Sequence, residues 1–154
     1  MVYFVIEFQS GDTGAALIYK YNTYSEAEYK YYDTMRAASA SSVPKHGAIL
    51  FDENMNMHLF NGVAHRETPS DIMLYYVLEF QTGGEVDAVI PVYYTDRAIA
   101  EQKYHQVLAA AAVSSVPKHG VIMVTSDMFE VKKEMAYRAP VVEEEEPEVE
   151  PETV

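Results

Sequence analysis

Cysteine and tryptophan are both absent from the 154 residues of this sequence. Without thiols the chain can form no disulfide, no zinc–thiolate centre and no cysteine nucleophile. No apolar run is long enough to span a bilayer, and the first residues lack the basic region and the small-residue cleavage site of a signal peptide. We therefore predict an intracellular protein that does not associate with a membrane.

Basic residues are also scarce, since 11 Lys and Arg face 24 Asp and Glu and the formal net charge is −13. Seven of the acidic residues belong to the segment "APVVEEEEPEVEPETV" at 139–154. This segment has too little apolar surface to offset the entropy of ordering, so we predict an acidic disordered tail. Because phosphate backbones are bound by clustered Lys and Arg, we expect no direct contact with nucleic acid.

Sequence motifs for cofactors and metals are missing as well. The chain has no Walker-type loop, no G-x-G-x-x-G and no G-x-S-x-G. No two histidines have the i, i+4 spacing of helical metal ligands; the five are His46, His58, His65, His105 and His119. We therefore expect no metal, no cofactor and no catalytic residue, and a protein that is not an enzyme.

What the sequence does contain is one unit written twice. The segment "YFVIEFQSG" from Tyr3 matches "YYVLEFQTG" from Tyr75, and "SSVPKHG" occurs unchanged at Ser41–Gly47 and Ser114–Gly120. The copies are 72 residues apart at the first strand, 73 at the helix and 72 at the end. One residue gained near the helix start, and one lost in the loop before the last strand, would explain these offsets. We predict a first repeat over 1–66, a linker over 67–71 and a second repeat over 72–138.

Each repeat has the pattern of a β-β-α-β-β unit. In "YFVIEF" the residues Phe4, Ile6 and Phe8 share one face, as in a half-buried strand. "TYSE" from Thr23 has the form of a capping box, and Asp96 is the expected N-cap of the second helix. Small and apolar residues at helical spacing define the buried faces: Ala27, Tyr31, Thr34, Met35 and Ala38, and Ala100, Tyr104, Val107, Leu108 and Ala111.

The predicted fold class is α+β, with antiparallel sheets that each carry a helix on one face. Pro91 lacks a backbone donor, so its strand is predicted to lie at a sheet edge. A unit of this size has a small core, and we expect the two copies to pack around a pseudo-two-fold axis. The pattern leaves open whether the sheets join edge to edge or stack.

The segments "YYVLEFQTG" and "AEQKYHQVLAAAAVSSVPKHG", with the apolar strand after them, resemble uncharacterised small open reading frames of gut Firmicutes and their phages. The resemblance covers most of the second copy and, more loosely, the first. It implies a bacterial or phage setting, in the cytoplasm of the host cell or in a phage particle. It implies no activity and no site residues.

The repeated heptapeptide is the first candidate site. Its Val, Pro and Gly suit a turn between helix and strand, which leaves its Lys and His without a backbone explanation. With a glutamate of the first strand, each copy offers three polar groups: Glu7, Lys45 and His46, and Glu79, Lys118 and His119. The alternatives are a structural turn, a salt bridge between glutamate and lysine, and acid–base chemistry.

Surface positions at which the copies differ are the second candidate. The outer face of the first helix carries Tyr29, Tyr32 and Arg36, where the second helix has Gln102, His105 and Ala109. Exposed Tyr beside Arg is typical of contact surfaces, although another part of the chain could cover these residues. The last strand of the first copy adds three apolar candidates, Met55, Met57 and Phe60, where the second copy is charged.

Three functions follow from these observations. The leading hypothesis is a non-enzymatic interaction or structural protein, such as a phage virion component or accessory factor, with a protein partner or self-assembly. The second is an acidic inhibitor that occupies the nucleic-acid groove of a host or defence protein. The third is a small-molecule binder or enzyme that uses the Glu, Lys and His of each repeat.

Overall fold

The computed structural model of the chain describes residues 1–60, 64–65, 72–128 and 130–137. The predicted linker over 67–71 and the predicted tail over 139–154 lie outside these residues. The elements in chain order are β1 (Tyr3–Ser10), β2 (Gly14–Tyr21), α1 (Tyr24–Ala40), β3 (Lys45–Asp52), β4 (Met57–Phe60), β5 (Ala64–His65), β6 (Tyr75–Thr82), β7 (Ala88–Tyr94), α2 (Arg97–Ala112), β8 (Lys118–Thr125) and β9 (Glu130–Tyr137).

Two antiparallel sheets with the same strand order confirm the predicted duplicated α+β fold. The first has the order β2-β1-β3-β4, with β5 also paired to β3, and the second has the order β7-β6-β8-β9. Pro91 lies in β7, which is an edge strand as predicted. Opposite β9 of the second repeat, the first repeat has β4 and β5, and residues 61–63 between them are outside the described part.

The helices begin where their capping residues predict. The Thr23 side chain accepts a hydrogen bond from the backbone N–H of Glu26, and Asp96 accepts from Ala98 and Ile99. On each helix the buried residues follow the predicted stripe: Ala27, Tyr31, Thr34 and Ala38, and Ala100, Tyr104, Val107 and Ala111. Each stripe covers the sheet of its own repeat, because these residues share clusters with residues such as Val5 and Val77.

The two sheets stack face to face, which answers the question that the sequence left open. Phe80 lies edge-on to Phe4 and Phe51, with ring centroids 5.9 and 5.7 Å away, and Phe8 lies 4.8 Å from Tyr76. The start of β1 thus faces the end of β6, and the end of β1 faces the start of β6. This reciprocal contact gives the pseudo-two-fold arrangement and a layered α–β–β–α molecule.

The strand registers correct the predicted position of the first length change. Ser10 and Thr82 are 72 residues apart at the ends of β1 and β6, but Ala15 and Ala88, which pair with Gln9 and Gln81, are 73 apart. The additional residue therefore lies in the hairpin between the first two strands of the second repeat. The prediction of a gain near the helix start is wrong, because a hairpin loop absorbs an insertion without disturbing the pairing beside it.

The second length change lies inside the last strand. Phe60 and Lys133, which pair with equivalent residues of β3 and β8, are 73 residues apart, whereas Ala64 and Ala136 are 72 apart. The first repeat thus has one more residue between Phe60 and Ala64, over residues 61–63, which are outside the described part. The predicted loss before this strand is wrong, because the offset of 73 still holds at Phe60 and Lys133, which are already paired within β4 and β9.

Candidate functional site

Glu7 and His46 come together on the helix-facing side of the first sheet. They lie on the neighbouring strands β1 and β3, where His46 is directly opposite Gln9. The His46 Nε2 atom is 2.8 Å from Glu7 Oε1, and Gln9 Nε2 donates to the same oxygen at 3.0 Å. A carboxylate can only accept, so Nε2 of the ring carries the proton.

The second repeat builds the same arrangement from equivalent residues. His119 Nε2 is 2.9 Å from Glu79 Oε1, and Gln81 Nε2 donates to that oxygen at 2.8 Å. In both repeats the Nδ1 atom of the histidine is buried and has no hydrogen-bond partner in the structure. The two repeats differ at one neighbouring position. In the first, Tyr19 OH donates to Glu7 Oε2 at 3.4 Å; in the second, the equivalent residue of β7 is Val92, which has no hydroxyl.

Burial and hydrogen bonding act on Glu7 in opposite directions. Burial raises the pKa of the Glu7 carboxyl, but the hydrogen bonds from His46 and Gln9, with the attraction of His46 and Lys30, outweigh it. The net result is a pKa below the ordinary value of a glutamate. Glu7 is therefore ionised in the folded chain at neutral pH.

The Glu–His pairs are mostly buried, and the most exposed of the four side chains, Glu79, keeps 19% of its exposure. The side chains of Glu7 and His46 keep 11% and 7% of their exposure. Three cavities can be described, and none of the four Glu and His residues of the two pairs lines them. What this geometry does is tie the first strand of each repeat to the strand after the helix.

Lys45 does not join Glu7, so the predicted salt bridge between them is wrong. Successive residues of a strand face opposite sides, and Lys45 therefore faces the second sheet while His46 faces α1. The Lys45 Nζ atom lies 3.0 Å from Asp127 Oδ1 and 3.5 Å from Ser126 Oγ, both of the second repeat. Lys118 alternates with His119 in the same way, so the predicted set of Glu, Lys and His does not converge in either repeat.

The outer face of α1 was predicted to be either an exposed contact surface or a surface covered by another part of the chain. In the described part of the chain it is exposed. Tyr29 is 75% exposed and Tyr32 is 56% exposed. Arg36 is also exposed and pairs with Asp33 of its own helix at 2.7 Å. Next to Tyr29, a cavity of about 360 Å³ lies between α1 and the end of β2, and its walls include Tyr21, Ser25, Glu26 and Lys30.

The three apolar candidates of the first repeat have different environments. Met55 is buried between the sheets, where its Cε atom lies 2.7 Å from the place that a Cβ on Gly120 would occupy. Its prediction as a surface contact residue is wrong, because its φ of 63° turns the side chain into the core. Met57 packs partly against the same core, and Phe60 is exposed on the edge strand β4.

Two polar features were missed by sequence reasoning. Asp52 accepts hydrogen bonds from the backbone N–H of Asn54 and Asn56, and the His58 Nε2 atom lies 2.9 Å from its Oδ2. An Asp two residues before an Asn is a signal for such a turn. The second feature is the contact between Ser10 Oγ and Tyr76 OH, 2.6 Å apart across the two sheets, for which the sequence offers no local signal.

Comparisons with protein-family models, with curated proteins and with solved structures find no match to this chain. Among the described residues, no group of three or more His, Asp or Glu side chains has a geometry that could hold a metal ion. No described helix is long and apolar enough to cross a membrane.

Proposed function

We propose that the chain is a non-enzymatic protein-binding module that contacts its partner through the outer surface of the first repeat. The observation that carries this proposal is the exposure of two tyrosines on α1, 75% for Tyr29 and 56% for Tyr32. The equivalent positions of α2 hold Gln102 and His105. Aromatic side chains are enriched at protein interfaces, and the two repeats kept their cores while this surface diverged.

The cavity beside Tyr29 supports the same proposal. It is open to one side chain of a partner between the end of β2 and the first turns of α1. Lys30 lies at its wall and stands 4.0 Å above the ring of Tyr19, which holds the lysine in place. Anchoring of a partner side chain in a pocket of this kind is typical of the centres of protein interfaces.

The buried Glu–His pairs favour this function over an enzyme or a small-molecule binder. Their carboxylates and rings are mostly buried within their own repeats, and the lysines that would complete the predicted set face the other way. The resemblance to open reading frames of Firmicutes and their phages favours a virion component or an accessory factor in an infected cell. An acidic inhibitor is the alternative that would use the tail over 139–154, and deletion of that tail would remove its binding to a basic partner.

The test exchanges the surface of α1 for that of α2. The full chain is immobilised and exposed to a bacterial lysate and to phage particles, as the wild type, as a Tyr29→Gln/Tyr32→His double variant and as a Gln102→Ala/His105→Ala control. We expect a protein that the wild type and the control retain and the double variant loses. With that protein purified, its dissociation constant should be similar for the wild type and the control and higher for the double variant. Equal retention by all three chains would overturn the proposal, as would retention of nothing by a chain that stays monomeric.

A further inference from the structure

The edge strands of the two sheets are protected differently. The equivalent of Pro91 in β7 is Ile18 in β2, since Leu78 pairs with the first and Ile6 with the second. A proline in an edge strand removes a donor that an incoming strand would need, so β7 is blocked against strand addition. β2 has no proline over its eight residues and pairs with β1 in an unbroken register.

No strand pairs with the outer side of β2 within the described part of the chain, although the Ala15 N–H donates to Tyr76 OH of the second repeat. β2 is at the end of the strand order of its sheet. A strand in that place presents a row of backbone N–H and C=O groups to its surroundings. Its one charged residue is Lys20, near the end, so the charges that commonly protect an edge are few.

Two cavities flank the beginning of this open strand, one on each face of the sheet. Both have Gly14 and Ala15 in their walls. The first, of about 260 Å³, lies on the helix side, where Gln9, Val43 and Pro44 complete it. The second, of about 250 Å³, lies on the side of the second sheet; its walls add Ala16, Tyr76, Pro91, Val92 and Tyr93.

The size and position of these cavities suit side chains of an extended peptide. Pockets for whole small molecules have volumes of about 300 to 1,000 Å³, and each of these cavities is smaller. Successive side chains of a β-strand point to opposite faces of its sheet. A strand added to β2 would therefore send one side chain into the first cavity and the next into the second.

We infer that β2 is a strand-addition site for an extended segment of a partner protein. Backbone hydrogen bonds to β2 give the affinity, and the two cavities give the specificity. The cavity lined by Tyr76, Pro91 and Tyr93 takes an apolar side chain, and the cavity lined by Gln9 takes a small or polar one. This inference rests on the proposed protein-binding function and names its mode.

Charge complementarity sets the remaining character of the segment. Without the seven Glu of 139–154 the chain still has 17 acidic and 11 basic residues, a formal charge of −6, and Asp12 is exposed between Gly11 and Thr13, which line the first cavity. An acidic segment is repelled by this field, whereas a basic one is attracted. The occupant is thus an extended segment in which an apolar residue alternates with polar or basic ones.

The test uses a displayed library of random linear peptides, selected on the immobilised full chain. We expect enriched peptides in which apolar and basic residues alternate. Their dissociation constants should rise at least about tenfold for Ile18→Pro, which places the proline of β7 in β2. Ala15→Lys, at an exposed position on the face of the first cavity, should have the same effect by filling that cavity, and Ala88→Lys on β7 is the matched control. Bound peptide should also slow amide exchange along β2.

Several outcomes would overturn the inference. They are the absence of any enriched peptide, peptide affinity that Ile18→Pro and Ala15→Lys both leave unchanged, and amide protection elsewhere than β2. A dimer in native mass spectrometry that Ile18→Pro abolishes would assign the edge to a second copy of this chain instead. If binding is lost on Tyr29→Gln/Tyr32→His but not on the β2 variants, the protein-binding function stands and strand addition falls. If binding is lost on the β2 variants but not on Tyr29→Gln/Tyr32→His, strand addition stands and the proposed contact through the outer face of α1 falls.

Discussion

The Nζ atom of Lys45 lies 3.0 Å from Oδ1 of Asp127, and this ion pair joins the first repeat to the second. The lysine side chain keeps 10% of its exposure and the aspartate 31%. This pair contributes more to stability than an exposed salt bridge does, because loss of the aspartate would leave the lysine buried without a partner charge.

Replacement of Lys45 should therefore weaken the docking of the repeats. We expect Lys45→Ala to lower the free energy of unfolding by about 1 to 2 kcal/mol, less than a fully buried pair because water partly screens Asp127. Lys118→Ala, at the same position of the other repeat, is the control and should cost less. Urea unfolding of both variants measures the difference, and equal losses would mean that the ion pair contributes nothing.

The carboxylate of Glu7 should stabilise the fold through His46. Glu7→Gln removes the charge but keeps the shape, so we expect a loss of about 1.5 to 3 kcal/mol, the range for a hydrogen bond to a charged group. Glu79→Gln tests the same contact in the second repeat. A double-mutant cycle with His46→Gln isolates the pair, and a coupling energy near zero would show that Glu7 acts on other neighbours.

Acid should unfold the chain through two carboxyl groups. The pKa of Glu7 is lowered as described above; burial raises the pKa of Asp52, but hydrogen bonds from His58, Asn56 and Asn54 outweigh it and lower it. Groups with a lower pKa in the folded state stabilise above their unfolded pKa of about 4 and lose this stability as the pH falls through the folded pKa.

Thermal unfolding between about pH 6 and pH 3 measures this dependence. We expect the melting temperature of the wild type to fall over the acid part of the range. A Glu7→Gln/Asp52→Asn variant should be less stable at pH 6 and should lose less on acidification. If the two curves run parallel, other carboxyl groups control the acid transition.

Phe80 contacts both central strands of the facing sheet, through the rings of Phe4 in β1 and Phe51 in β3. Phe80→Ala should lower the free energy of unfolding by about 3 to 5 kcal/mol, because it leaves a cavity between two stacked sheets. Tyr29→Ala, which removes an exposed ring of similar size, should change it by less than about 0.5 kcal/mol. A small effect at Phe80 would mean that the sheets do not depend on each other for stability.

The fold was predictable to a large extent because the information was local and was written twice. Alternation identifies β1 through Phe4, Ile6 and Phe8, and the caps Thr23 and Asp96 place the helix starts. The repeated heptapeptide predicts the exit from each helix. The sequence predicts both length changes at the wrong places, because a match between the repeats shows only that their spacing has changed. The strand partners of Ala15 and Phe60 show where along the chain it changes.

The candidate sites were less predictable, since they depend on which face a residue takes. Neighbours in sequence, Lys45 and His46 belong to opposite faces of β3, so one crosses to the second repeat and the other pairs with Glu7. The alternation of its segment predicts Met55 at the surface, because alternation does not reveal a positive φ. Pro91 was recognised as an edge signal, but its meaning for Ile18 needed the registers of both sheets.

The sequence by itself determined the elements, their duplication, the helix faces and the residue types available to each surface, because these follow from local periodicity and from comparison of the two copies. Only the tertiary structure decided that the sheets stack rather than join, that Lys45 pairs with Asp127, and that two cavities meet at Gly14. These features arise from contacts between residues far apart in the chain, where packing and burial, rather than local preference, select the partner.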